Sequence, residues 1–97
     1  MTESAPLWTQ DQAIAYEAAL EAINDVIAGY SEEIDRARSA LPPLDQRIAW
    51  LKMRILQARD VGDALDLSDD ASVAEVLREY SAIVRARDAA GSDAKAA

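Results

Sequence analysis

The sequence has no cysteine and no histidine. That removes disulfides, thiol nucleophiles, zinc sites of the usual Cys/His kind and the ordinary general base near neutral pH. Cysteine-free chains occur in any compartment, so this absence alone does not fix location. Glycine and proline are scarce, at three each, so long helices meet few interruptions. No stretch approaches the roughly 18 to 20 consecutive apolar residues of a membrane span. The segment Met1 to Trp8 has neither the basic start nor the apolar run of a secretory signal. A cytoplasmic setting is expected by default. There is also no Gly-rich phosphate loop, Ser/His/Asp set or nucleotide fingerprint. No enzymatic activity, cofactor or metal is therefore expected.

Basic residues are missing from the first third. Residues 1–35 hold eight acids and no base, whereas residues 36–97 hold ten of each. The whole net charge of −8 thus arises near the N-terminus. Direct binding to DNA or RNA needs a basic face, so nucleic acid is not an expected ligand. The same repulsion argues against an anionic membrane surface. At 97 residues the chain has room for one domain, near the lower end of what a single core supports. Heavy use of Ala, Asp and Arg over Lys and Asn fits a high-GC bacterium or one of its phages.

The pattern of apolar residues predicts three helices and no strand. The first should run over about 9–41, opened by a Thr9/Gln12 capping box with Trp8 stapled onto Ala13. Its seam is Tyr16, Leu20, Ile23, Ile27, Tyr30, Ile34, Ala37 and Leu41, alternating steps of four and three without a slip. Such regularity favours coiled-coil-like packing. Leu41-Pro42-Pro43 ends this helix, and the short joint folds the second back as an antiparallel hairpin.

The second helix, over about 44–61 with Gly62 as C-cap, carries the seam Leu44, Ile48, Leu51, Ile55 and Ala58. Ala49, Met53 and Leu56 form a second apolar face, with Trp50 beside them and Arg47, Lys52, Arg54 and Arg59 between the faces. A helix apolar on both faces must be covered on both. This places the second helix at the centre of the fold. The third helix, over about 68–89, should be capped by Ser68, with Asp69 and Asp70 at the positive end of its dipole. Residues 1–8 and 91–97 are expected to be mobile ends. The expected fold class is all-α, a long antiparallel hairpin plus a third helix in a coiled-coil-like bundle.

Five features could carry function. Glu17, Glu21, Asp25, Glu32 and Asp35 share one side of the first helix. Carboxylate metal sites in bundles use inward-facing Glu with Glu-x-x-His, so a solvated acidic face is the better reading. Asp63, Asp66, Asp69 and Asp70 lack the glycine and terminal glutamate of a calcium loop. Tyr16, Tyr30 and Tyr80 occupy seam positions, where the ring packs and the hydroxyl reaches the rim. Trp50 with Arg47 and Arg54 is either an interface anchor or a residue packed under the third helix. Finally, Ala15, Ala18, Ala22, Val26 and Gly29 give the first helix a small-residue face. That face suggests self-association as a homodimer, a common remedy in chains of this size.

The expected function is therefore a non-enzymatic protein–protein interaction module that self-associates and binds a protein partner with a basic surface. Glu17, Glu21, Asp25, Glu32 and Asp35 would supply the charge, with Trp50 and Met53 as apolar anchors. An acidic inhibitor of antitoxin or anti-defence type, occluding a basic nucleic-acid-handling protein, is the second reading. A structural or scaffold subunit of a bacterial or phage assembly is the third.

Overall fold

The computed structural model describes residues 8–96, with side chains as far as Gly91. The mobility expected of residues 1–7 lies outside them. Three helices make up the described chain: α1 (Gln10–Ser39), α2 (Asp45–Ala64) and α3 (Asp70–Ala96).

Helix α1 starts where its capping box places it. The Thr9 hydroxyl accepts from the Gln12 amide at 3.1 Å, and the Thr9 amide donates to Gln12 Oε1 at 2.8 Å. Two of the four orphan amides of the first turn region are thereby satisfied. At 30 residues α1 is about 45 Å long. It stops at Ser39, two residues short of the expected end, because a residue before proline is driven out of the α region. Leu41, expected to finish the seam, is 96% exposed as a result. The Leu44 amide donates to the Ala37 carbonyl at 3.0 Å and satisfies one acceptor left open at the end of α1.

Two glycines expected to end helices lie inside them. Helix α2 continues through Gly62 to Ala64, and α3 through Gly91 to Ala96. No described glycine takes a positive φ, so neither is used as a left-handed cap. Glycine within a helix costs only about 1 kcal/mol, and at Gly62 the packing of α2 beside Leu20 and Ile23 of α1 offsets it. The cap of α3 also shifts by one residue. Asp66 Oδ1 accepts from both the amide and the hydroxyl of Ser68, at 2.9 and 2.7 Å. With Ser68 so engaged, Asp69 becomes the cap and accepts from the Ser72 amide at 3.1 Å.

The centre of the bundle is α1, not α2. Helix α1 packs against both other helices, whereas α2 and α3 make no backbone contact with each other. Seven α1 residues are buried, against Leu51, Ile55 and Ala58 in α2. The α1–α2 core joins Ile34, Leu51 and Ile55, with Ile27, Tyr30 and Ile48 packed around them. Leu51 and Val26 are the largest fully buried side chains. Burying each contributes about 1.5–3 kcal/mol.

Contacts pair Glu33 with Arg47, Tyr30 with Trp50 and Arg54, and Gln12 with Asp70. The molecule extends 67 × 29 × 21 Å with a radius of gyration of 17.3 Å, against about 12–13 Å for a compact chain of this length.

Candidate functional site

Because α2 and α3 occupy neighbouring sides of α1, only one long face of α1 is left to solvent. Glu17, Glu21, Asp25, Glu32 and Asp35 all lie on it and all are exposed. Ile14, 58% exposed, shares that face. Basic side chains border this face, and Arg36 and Arg87 line a depression with Glu32. Arg38 stands 4.0 Å from Asp35, and Arg85 lines a shallow depression with Glu21 and Asp25. Among the described residues Glu17, Glu21, Asp25 and Glu32 form no ion pair. The neighbouring acid Glu33, off the stripe, is the one paired with α2, through Arg47 at 3.2 Å. Among the described residues no three carboxylates converge as a cation site.

The small-residue face of α1 meets α3 of the same chain. Ala22, Val26 and Gly29 are buried there together with Ala19, while Ala15 and Ala18 are half-buried. Small side chains let α3 approach closely, and Gly29 has a specific use. The Arg87 guanidinium lies over it and donates to the Asp25 carbonyl at 2.9 Å. A Cβ on Gly29 would overlap that guanidinium. The apolar surplus that suggested a second protomer on this face is thus covered within the chain.

Trp50 and Met53 lie elsewhere. The Trp50 ring stands edge-on to Tyr30, with centroids 6.2 Å apart. The Arg47 guanidinium sits 4.7 Å over the Trp50 ring, and Arg54 lies 5.9 Å from both the Trp50 and Tyr30 rings. Arg54 Nε also donates to the Tyr30 hydroxyl at 3.4 Å, at the rim of the α1–α2 contact. Even so, Trp50 remains 42% exposed, at a depression that it lines together with Ile83 and Arg87 of α3. Met53 and Leu56 are 46% and 60% exposed on the side of α2 away from α1. The structure therefore does not bring Trp50 and Met53 together with the acidic stripe.

Sequence reasoning named Leu56 as part of a second face but gave it no role, and it missed Arg87. The first had a readable signal in the spacing of Ala49, Met53 and Leu56. The second depends on which helix α3 covers.

The connector carboxylates are used locally. Asp66 is held below its ordinary pKa by hydrogen bonds from Ser68, and Asp69 by those from Ser72. Asp70 accepts from Gln12 Nε2 at 2.9 Å and ties the two N-termini of α1 and α3 together. The Tyr80 hydroxyl is pushed above its usual pKa, chiefly by burial.

These features describe an all-helical bundle, acidic along the central helix and apolar with basic flanks on α2. None of the described helices is long and apolar enough to cross a membrane. The chain matches no protein-family model, no curated protein and no solved structure.

Proposed function

We propose that the chain is a non-enzymatic protein–protein interaction module, built on an antiparallel α1–α2 hairpin, that presents the acidic face of α1 to a basic protein surface. One observation carries the reading. Five carboxylates, from Glu17 to Asp35, stay exposed along the solvent side of α1, and among the described residues only Asp35 is in an ion pair. Unpaired like charges destabilise a fold by self-repulsion, and a partner of opposite charge relieves that repulsion. The stripe spans 18 residue steps, about 27 Å of helix. Charge complementarity over this length raises on-rate and selects against acidic competitors. The hairpin itself is supported by the pairing of Glu33 with Arg47 and of Tyr30 with Arg54, together with the packing of Gly62 near Ile23. Self-association through the small-residue face of α1 is not part of this reading, because α3 already covers Ala22, Val26 and Gly29.

The test compares two baits in a bacterial lysate: the parent, and a variant carrying Glu17→Lys, Glu21→Lys and Asp25→Lys. Proteins retained by the parent should be lost from the variant and eluted by moderate salt, since exposed charges are screened beyond roughly 10 Å at 0.1 M. Equal retention by both baits, with helicity unchanged, would rule out the acidic face as the recognition surface.

A further inference from the structure

The two ends of the bundle differ in shape and in charge. At one end Ala15 of α1, Leu67 of the connector and Val73, Ala74 and Leu77 of α3 line a hollow of about 350 Å³. Thr9, Gln12 and Asp70 on its rim are already hydrogen-bonded. At the other end α1 stops at Ser39 and α2 begins at Asp45. The joint between them holds Leu41 out at 96% exposure and Leu44 at 51%. Pro42 and Pro43 fix φ at two of its positions, so little conformational freedom is left to lose on docking. An apolar side chain presented on a stiff turn has the shape of an interface anchor, and an apolar hollow is what receives one.

Charge decides which ends can meet. Residues 8–17 and 60–75, which form most of the walls of the hollow, hold eight acids and no base. Arg59 and Arg78 stand just outside these segments and leave the acids in large excess. Two such ends facing each other would repel. Residues 35–47, around the exposed leucine, hold Arg36, Arg38 and Arg47 against Asp35 and Asp45. Arg38 and Arg47 are taken up by Asp35 and Glu33, whereas Arg36 makes no ion pair among the described residues. This nearly balanced end can approach the acidic one without like-charge repulsion and has a guanidinium to offer it. Two joints meeting each other would both be convex, with no hollow to fill. The chain thus carries both halves of one contact. Its own joint cannot reach its own hollow, because about 45 Å of α1 lies between them.

We propose that the chain associates head to tail, with Leu41 of one copy seated in the hollow beside Ala74 and Leu77 of the next. Such a contact is heterologous, so its repetition builds an open chain instead of a closed dimer. One turn in one hollow buries less than a standard interface, and the association is weak. It does not use the acidic stripe of α1 and stands independently of the acidic-face reading.

Sedimentation equilibrium of the full chain tests it, from roughly 10 μM to 1 mM in about 0.1 M salt. The average mass should rise steadily above 10.5 kDa without levelling at twice that value. Leu41→Asp removes the anchor, and Ala74→Glu blocks the hollow. Both positions are exposed, and circular dichroism checks that helicity is kept. Should Ala74→Glu lose helicity, Ala74→Gln takes its place. Each variant alone should stay monomeric. An equal mixture of the two should form a heterodimer and nothing larger, because one intact joint and one intact hollow remain between them. Adding Arg36→Glu to the Ala74→Glu chain should weaken that heterodimer by about threefold or more. The proposal is overturned by a parent that stays at 10.5 kDa throughout, which would leave the hollow to some other occupant. It is equally overturned by a folded mixture that stays monomeric, or by either variant associating as the parent does. Continued association of Ala74→Glu would point to a contact between joints.

Discussion

Replacing Gly29 with alanine puts two effects of similar size in opposition. Glycine within a helix is about 1 kcal/mol less favourable than alanine, so the substitution alone should stabilise α1 by that amount. However, a Cβ there would overlap the Arg87 guanidinium and displace it from the Asp25 carbonyl, which it meets at 2.9 Å. Hydrogen bonds to charged groups contribute about 1.5–3 kcal/mol when well shielded. The Arg87 side chain is 35% exposed, and screening reduces its contribution to about 1 kcal/mol. Gly29→Ala should therefore be nearly neutral. In an Arg87→Ala background the clash is gone, and the same change should stabilise by about 1 kcal/mol. The double-mutant cycle, measured by urea unfolding with circular dichroism, should show a coupling of about 1 kcal/mol. Gly62→Ala is the control. Its Cβ would meet Ile23 Cδ1 at 3.7 Å, an ordinary contact, so it should stabilise the fold by up to about 1 kcal/mol whatever stands at 87. Additive effects at 29 and 87 would mean that α3 does not lie over Gly29 in this register.

Three further outcomes are expected. Leu51→Ala, at a fully buried position between α1 and α2, should cost about 2–5 kcal/mol in chemical denaturation. Glu21→Ala, on the exposed stripe, should change stability by less than about 0.5 kcal/mol; a large loss would reveal a buried or metal-linked carboxylate. Asp69→Ala should lower the melting temperature at neutral pH but not in acid. The hydrogen bonds from Ser72 hold the Asp69 pKa below its ordinary 3.8 in the folded state. A carboxylate depressed on folding contributes stability above its unfolded pKa, and this is lost as pH falls below about 4. Melting curves of parent and variant should therefore converge toward pH 2–3, and a constant difference down to that pH would refute the capping role.

Features encoded within a few residues were legible in the sequence. The Thr9/Gln12 box and the α1 seam from Tyr16 to Ala37 depend on local spacing, and both appear as read. Helix ends were less legible where glycine was taken as punctuation. Gly62 is held in the helix by packing near Leu20 and Ile23 of α1, and neither Gly62 nor Gly91 takes a positive φ. The partner of α3 was not legible. Val73, Val76, Tyr80 and Ile83 announce one apolar face, but both α1 and α2 had a face open to receive it. Close packing favours the side with the smaller residues, and Ala19, Ala22 and Gly29 admit α3 and its Arg87. The bulkier seam of Met53 and Leu56 stays open. Of the candidate site, the exposure of the acidic stripe followed from its offset to the main seam. The separation of Trp50 and Met53 from that stripe follows from tertiary arrangement alone.

The central claim is that α3 covers the small-residue face of α1 and leaves the outer seam of α2 bare. With no native cysteine, single thiols can probe it without interference. The rate of thiol alkylation should be measured for Met53→Cys, Ala22→Cys and the exposed reference Glu21→Cys, each folded and in denaturant. Met53→Cys should react nearly as fast as the reference, whereas Ala22→Cys, at a position 7% exposed, should react only through unfolding and be slowed by orders of magnitude. A protected thiol at 53 with a reactive one at 22 would contradict the account, because α3 or another chain would then cover α2 instead.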